Sequence, residues 1–396
     1  MLAALKVAFV APLAVTALLF FAALLLAESA VRAIRLPRIA GLVLAGALIG
    51  WLRQTNEIAA MMPLPSVLLE ALATVLLFEV GQRVPLDWLR SNPWLLAASI
   101  GESALAFGAI YAVLALGFAV APIDSAFVAA IGMSASPIVV MSVSKDLRAR
   151  GQVAERALLY STLSGVYAVL LVQVLLAAYL ASAQVDVVAV AQPMFRLLAA
   201  FFLGALAAGA LRIYALLTRA RGATLTIGIL CCCVLLYAYA SPLGLSPILA
   251  ALFFGLIVRA TDRTHGLLAH QTSETGAVLT LAYFVLVGAS LAWIDSWLLA
   301  AIAAAVAAVR LLAKLAANVA LASPSALSPT KGALVGAALA PLSSLALMLT
   351  ANLAQHSGLA RAAEISGAVV LVMALLGPIL TELALRRAGE PSRGES

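Results

Sequence analysis

The sequence predicts an all-α polytopic membrane protein with about thirteen transmembrane helices, and three observations carry that expectation. The chain of 396 residues is 65% hydrophobic and only 10% charged, with a mean hydropathy of +1.12. No soluble domain of this length needs so little charge, whereas a helical membrane protein does. Its apolar residues fall in runs of about 20, the length that crosses a hydrocarbon layer as a helix. Its cations are distributed asymmetrically between the two sets of loops.

Taken in order, the runs cover roughly residues 7–28, 38–52, 66–84, 94–119, 123–144, 155–182, 193–217, 223–241, 245–259, 275–294, 296–321, 332–354 and 365–385. The first is too long for a signal-peptide core and lacks a cleavage site, so it is read as a span. With the N-terminus outside, 18 of the 24 Lys and Arg lie on inner loops and only Lys6, Arg53, Arg196 and Arg361 on outer ones. That is the positive-inside pattern, and it places the C-terminus in the cytoplasm and the protein in the inner cell membrane. The net charge of +7 is therefore a topology signal, not a nucleic-acid patch. Loops are short, which leaves residues 1–387 as one transmembrane domain and 388–396 (AGEPSRGES) as a polar tail expected to be disordered.

Cys231, Cys232 and Cys233 are consecutive within the eighth run. They cannot staple distant segments and have no metal-ligand spacing, so they read as small packing residues. His265, His270 and His356 are scattered through loops. No metal site, cofactor or enzymatic nucleophile–base pair is expected.

An inverted repeat organises the chain. LPRIAGLVLAGALIG from Leu36 aligns with LSPILAALFFGLIVR from Leu245, pairing Gly46 with Gly255. Gly81 then matches Gly288, Pro137 matches Pro341, and the LSGV around Gly165 matches the ISGA around Gly367. These anchors are 35, 56 and 28 residues apart in the first half and 33, 53 and 26 in the second. Because the halves begin on opposite sides of the membrane, the repeat is inverted.

Two spans break at matched positions. Ser134, Ser136 and Pro137 interrupt the fifth, and Pro341, Ser343 and Ser344 interrupt the twelfth. Proline removes a backbone donor and clashes with the preceding turn. Broken helix at membrane depth is tolerated only where it faces protein or a watery cavity. Repeats with paired broken helices are typical of secondary transporters, whose substrate sits at the bilayer midplane. Ser161, Thr162, Ser164 and Gly165, in the middle of the sixth span, are expected to join Ser134, Ser136, Pro137, Pro341, Ser343 and Ser344 there. The bland alternative is that both prolines only kink packed helices.

Few ionisable residues lie within spans. Arg310 is near the centre of the eleventh, with Lys314 one turn later on the same face. Arg310 either neutralises half-helix carbonyl ends or contacts substrate. Glu102 lies about 12 Å into the fourth span at a rise of about 1.5 Å per residue. It is the deepest carboxylate, a candidate proton carrier whose titration a neighbouring Arg310 would tune, or else one half of an interhelical hydrogen bond. Glu79 is nearer the inner surface, with Arg83 one turn away as its expected partner.

The stretches LPRIAGLVLAGALIG, VLLFEVGQRV, SASPIVVMSV, LSPILAALFFGLIV, LAYFVLVGASL and RLLAK together resemble the cation:proton antiporter superfamily, in its Kef- and NapA-type branch with an NhaA-like fold. The resemblance implies a homodimer, with a mobile core of about 94–182 and 296–385 and a scaffold of about 7–84 and 193–294. It also implies elevator-type exchange of a monovalent cation, Na⁺ or K⁺, for protons, and puts Arg310 at the family's basic position in the eleventh span. One departure stands out. The family usually carries an Asp–Asp or Asn–Asp pair in the sixth span, where this chain has Ser164 and Gly165. Transport of an anion or small organic acid on the same fold, and a non-transporting sensor or assembly subunit, therefore remain as alternatives.

Overall fold

The computed structural model describes residues 38–55, 66–84, 91–180, 187–218, 223–261, 273–291, 296–342 and 344–391, together with most of 21–29. Besides the helical residues within 21–29, fourteen α-helices and no strand occur among them. They are α1 Arg38–Thr55, α2 Ser66–Arg83, α3 Pro93–Ala112, α4 Pro122–Gly132, α5 Pro137–Asp146, α6 Gln152–Leu180 and α7 Val187–Thr218. After them come α8 Ala223–Ala240, α9 Pro247–Thr261, α10 Ser273–Ala289, α11 Trp297–Ala320, α12 Pro329–Ala338, α13 Ser344–Leu353 and α14 Ala360–Arg387.

Each apolar run from the second onward contains a helix within a few residues of its expected bounds. The fifth and twelfth are each two helices, α4/α5 and α12/α13, as the serine–proline interruptions predict. The first run lies mostly outside the described residues. Among the described residues, six segments are long and apolar enough to cross a membrane by length and composition. The most enclosed of them is the α4/α5 pair, whose apolar window is 94% buried.

Local chemistry fixes several helix starts. Asn92, Ser136, Ser296 and Ser328 each accept a first-turn amide proton through the side chain. Pro93, Pro137 and Pro329 follow three of these caps at a position where the missing amide is no loss. α3 runs on into a wider π turn over Val113–Gly117.

The repeat is visible in how the helices cross. α2 packs on α9 at Gly81 and Gly255, and a Cβ on Gly255 would lie 2.1 Å from the Phe78 carbonyl oxygen. α1 packs on α10 at Gly46 and Gly288, where a Cβ on Gly288 would lie 2.2 Å from the Val43 oxygen. Only glycine permits backbones this close. Since Gly46 aligns with Gly255 and Gly81 with Gly288, the two crossings are the same contact with the halves exchanged.

α14, about 42 Å long at a rise of about 1.5 Å per residue, orients the broken helices. Its start follows closely on the end of α13. Just past its far end, Glu390 accepts hydrogen bonds from the Val153 and Ala154 amides of α6 at 2.8 and 2.9 Å, and its carbonyl accepts from the Arg150 amide. α5 and α13 therefore leave their breaks toward opposite ends of the bundle. Of the polar tail, residues 388–391 are described and residues 392–396 lie outside the described residues.

Candidate functional site

The two breaks meet. The Ser136 amide donates to the Pro341 carbonyl at 2.9 Å, tying the first interruption to the second. The Ala135 amide donates to Ser164 Oγ at 3.0 Å, and that hydroxyl donates to the Ser161 carbonyl. Ser134 Oγ turns back to the Ile131 carbonyl, and Ser136 Oγ caps α5 at Val139. Gly165 faces the same region, where a Cβ would meet only Leu345 Cδ1 at 3.1 Å.

Arg310, fully buried, spans both breaks. Its Nε donates to the Gly132 carbonyl at 2.6 Å, and Nη2 donates to Ser134 at 2.6 Å and Leu339 at 3.1 Å. Nη1 donates to Ala340 at 2.5 Å. These carbonyls belong to the open ends of α4 and α12, where backbone acceptors lack intrahelical partners and the helix dipole is negative. A planar guanidinium with several divergent donors serves two such ends at once, which an ammonium cannot do.

One turn along α11, the Lys314 ammonium donates to Glu102 Oε2 of α3 at 2.5 Å, and both side chains are fully buried. Ser103 Oγ donates to the other carboxylate oxygen at 2.9 Å. Glu102 thus meets Lys314, while the Arg310 donors are occupied by carbonyls. Helical periodicity puts both cations on one face, but only the tertiary crossing decides which one reaches α3.

The remaining candidates separate from this centre. Glu79 ion-pairs with Lys145 at the end of α5, about 12 Å along that helix from Pro137 at a rise of about 1.5 Å per residue. The side chain of Arg83, its expected partner, lies outside the described residues, as do Ser343 and the side chain of Ser344. Ser161 and Thr162 both donate to the Leu158 carbonyl of their own helix.

Arg156, counted in the sequence as an inner-loop cation, is a structural residue that the reading missed. It is 2% exposed and donates to Ser325 Oγ and the Ser325 carbonyl, at 2.9 and 2.6 Å. Its place at the head of the sixth run, one turn from apolar residues, was the available signal.

Cavities flank the crossing. One of about 700 Å³ is lined by Glu70, Gln173, Thr350, Asn352 and Glu364 near the end of α13. Another of about 800 Å³ reaches Arg38, Ser142, Lys145, Arg148 and Arg150 near the end of α5. Between them the Ser136–Leu342 region packs on Val43, Tyr283 and Phe284, leaving a crevice of about 20 Å³. Two cavities with polar linings, separated by a packed layer at the crossing, suit the passage of a small solute. Among the described residues, no group of three His, Cys, Asp or Glu side chains gathers to hold a metal.

Known proteins share this fold. The sodium proton antiporter MjNhaP1 from Methanocaldococcus jannaschii, in its structure at pH 8, shares 15% identity with a TM-score of 0.65 over 95% of each chain. An electron-microscopy structure of the same antiporter gives 18% identity and a TM-score of 0.65, over 95% of this chain and 97% of that one. At such identities the likeness is one of fold. No curated protein sequence matches the chain. The model of the family described as sodium/hydrogen exchanger, transmembrane, matches residues 16–386, and the chain belongs to that family.

Proposed function

We propose that the protein is a secondary active transporter exchanging a monovalent cation, sodium or potassium, for protons by elevator-type alternating access. The observation that carries this reading is the fully buried Glu102–Lys314 pair. One carboxylate cannot hold both an ammonium and a second cation in a low-dielectric interior. Entry of a metal cation at Glu102 therefore requires Lys314 to leave, and a displaced buried lysine is tolerated only as the neutral amine. Its proton departs as the cation enters, which is antiport.

Arg310 holds the two breaks together while this exchange proceeds. In this account residues 94–182 and 296–385 move as the core, while residues 7–84 and 193–294 form the scaffold of a homodimer. The protein lies in the inner membrane with its C-terminus in the cytoplasm. The charge asymmetry of the loops supports that orientation, and membership of the exchanger family supports the chemistry. The MjNhaP1 structures support the same chemistry by fold.

A second reading keeps the fold and carries an anion or small organic acid. The specific observation favouring it is Ser164–Gly165, which leaves the crossing without a carboxylate on α6. The experiment is collapse of an imposed pH gradient in proteoliposomes by Na⁺, K⁺ and Li⁺, then by small carboxylates. Saturable dequenching by a cation, lost in Glu102→Gln, is the expected result. A response to carboxylates alone establishes the second reading, and silence with both overturns transport.

A further inference from the structure

We propose that the transported cation binds at Glu102 itself, in an oxygen cage completed by the hydroxyls of Ser99, Ser103 and Tyr167. This rests on the cation:proton reading and assigns its binding site. Ser99, Glu102 and Ser103 stand at i, i+3 and i+4, so all three share one face of α3. Ser99 and Glu102 are fully buried and Ser103 is 2% exposed. Tyr167 reaches the same place from α6: its hydroxyl lies beside Ser99 and within the electrostatic reach of Glu102.

What points to a ligand is the state of these oxygens. Ser99 Oγ and Tyr167 Oη are buried and neither makes a well-formed hydrogen bond, although the two hydroxyls lie close enough to interact with each other. Buried hydroxyls are nearly always satisfied, so two adjacent ones with only a weak contact to each other, beside a carboxylate, leave room for a missing group. Glu102 already accepts from Ser103 on Oε1 and from Lys314 on Oε2. Only an electron-poor guest uses the lone pairs of both hydroxyls and of the carboxylate together. Hard cations take carboxylate and neutral oxygen ligands. A single carboxylate among hydroxyls matches one positive charge. Lys314 is then the resident competitor: it occupies Oε2 when the cage is empty and gives way when the cage fills. The cage moves the anionic ligand from the sixth span, where Ser164 and Gly165 stand, to the fourth.

The test uses Ser99→Ala and Tyr167→Phe in the full-length protein, each removing one oxygen of the cage and little volume. Both variants should unfold at the wild-type temperature or above it without Na⁺. Each should raise the apparent KM for Na⁺-driven proton flux by about tenfold while leaving the maximal rate in place. The Na⁺-induced rise in Tm of the detergent-solubilised protein, measured against choline at constant ionic strength, should weaken in parallel. If wild-type flux is saturable and both variants keep its KM and thermal shift, a structural water fills the cage and the proposal falls while antiport stands. If the wild type shows neither cation-driven flux nor a Na⁺-dependent thermal shift, the cage and the antiport reading fall together.

Discussion

Replacing Arg310 by lysine separates a structural bridge from a substrate contact. In the native protein one guanidinium donates to four carbonyls, on Gly132, Ser134, Leu339 and Ala340, at distances from 2.5 to 3.1 Å. A lysine ammonium has three donors radiating from one point, so it serves one break and abandons the other. Losing two hydrogen bonds to a charged donor at about 1.5–3 kcal/mol each gives about 3–6 kcal/mol. The lower end applies in a bilayer, where orphaned groups find other partners in the unfolded reference state. Arg310→Met removes the charge as well and leaves two negative helix ends facing each other, so it should be worse still. Thermal unfolding of the purified protein, followed by tryptophan fluorescence, should rank wild type above Arg310→Lys and that above Arg310→Met. Should Arg310→Lys unfold within about 1 °C of wild type while the KM for cation changes, the bridge is refuted and Arg310 contacts substrate.

Other perturbations follow from the same geometry. Glu102→Gln strands a fully buried ammonium and should cost about 3–5 kcal/mol, with most of the loss recovered in the double variant Glu102→Gln/Lys314→Met; denaturation of both checks this. Gly255→Ala and Gly288→Ala each drive a Cβ to within 2.1–2.2 Å of a backbone oxygen. They should destabilise alike, by at least about 1–3 kcal/mol. Gly108→Ala, with nothing within 4 Å, should be neutral or slightly stabilising by the same measurement. Gly165→Asp restores the carboxylate that the family usually carries in this span, and its nearest obstacle is the flexible end of Leu345. That variant should fold and lower the apparent KM for Na⁺ in proteoliposome flux, whereas an unchanged KM would show that the crossing does not meet the cation.

Much of the scaffold was legible because a bilayer leaves few choices: backbone groups must be satisfied within each helix, so apolar length reports spans directly. The serine–proline interruptions were equally plain, since Pro137 and Pro341 stand with serines at matched repeat positions, whereas Pro378 lies inside the unbroken α14. The repeat anchors proved to be contacts, with Gly46 against Gly288 and Gly81 against Gly255. What the sequence withheld were partnerships across helices. Arg310 and Lys314 share a face by periodicity, yet the first caps four carbonyls and the second meets Glu102. Glu79 meets Lys145 from another helix, a contact that its own helix does not predict. Arg156 looked like a loop cation and is buried on Ser325. Ser99 and Tyr167 carried no sequence signal, because a serine in an apolar span more often bonds its own helix, as Ser161 and Thr162 do.

The account turns on Glu102 and Lys314 exchanging a cation for a proton. The most direct measurement is proton release from weakly buffered, detergent-solubilised protein on addition of Na⁺, followed with a pH-indicator dye. Release of about one proton per bound cation, absent from Glu102→Gln, is the result expected. Cation binding without proton release, or equal release from Glu102→Gln, would contradict it.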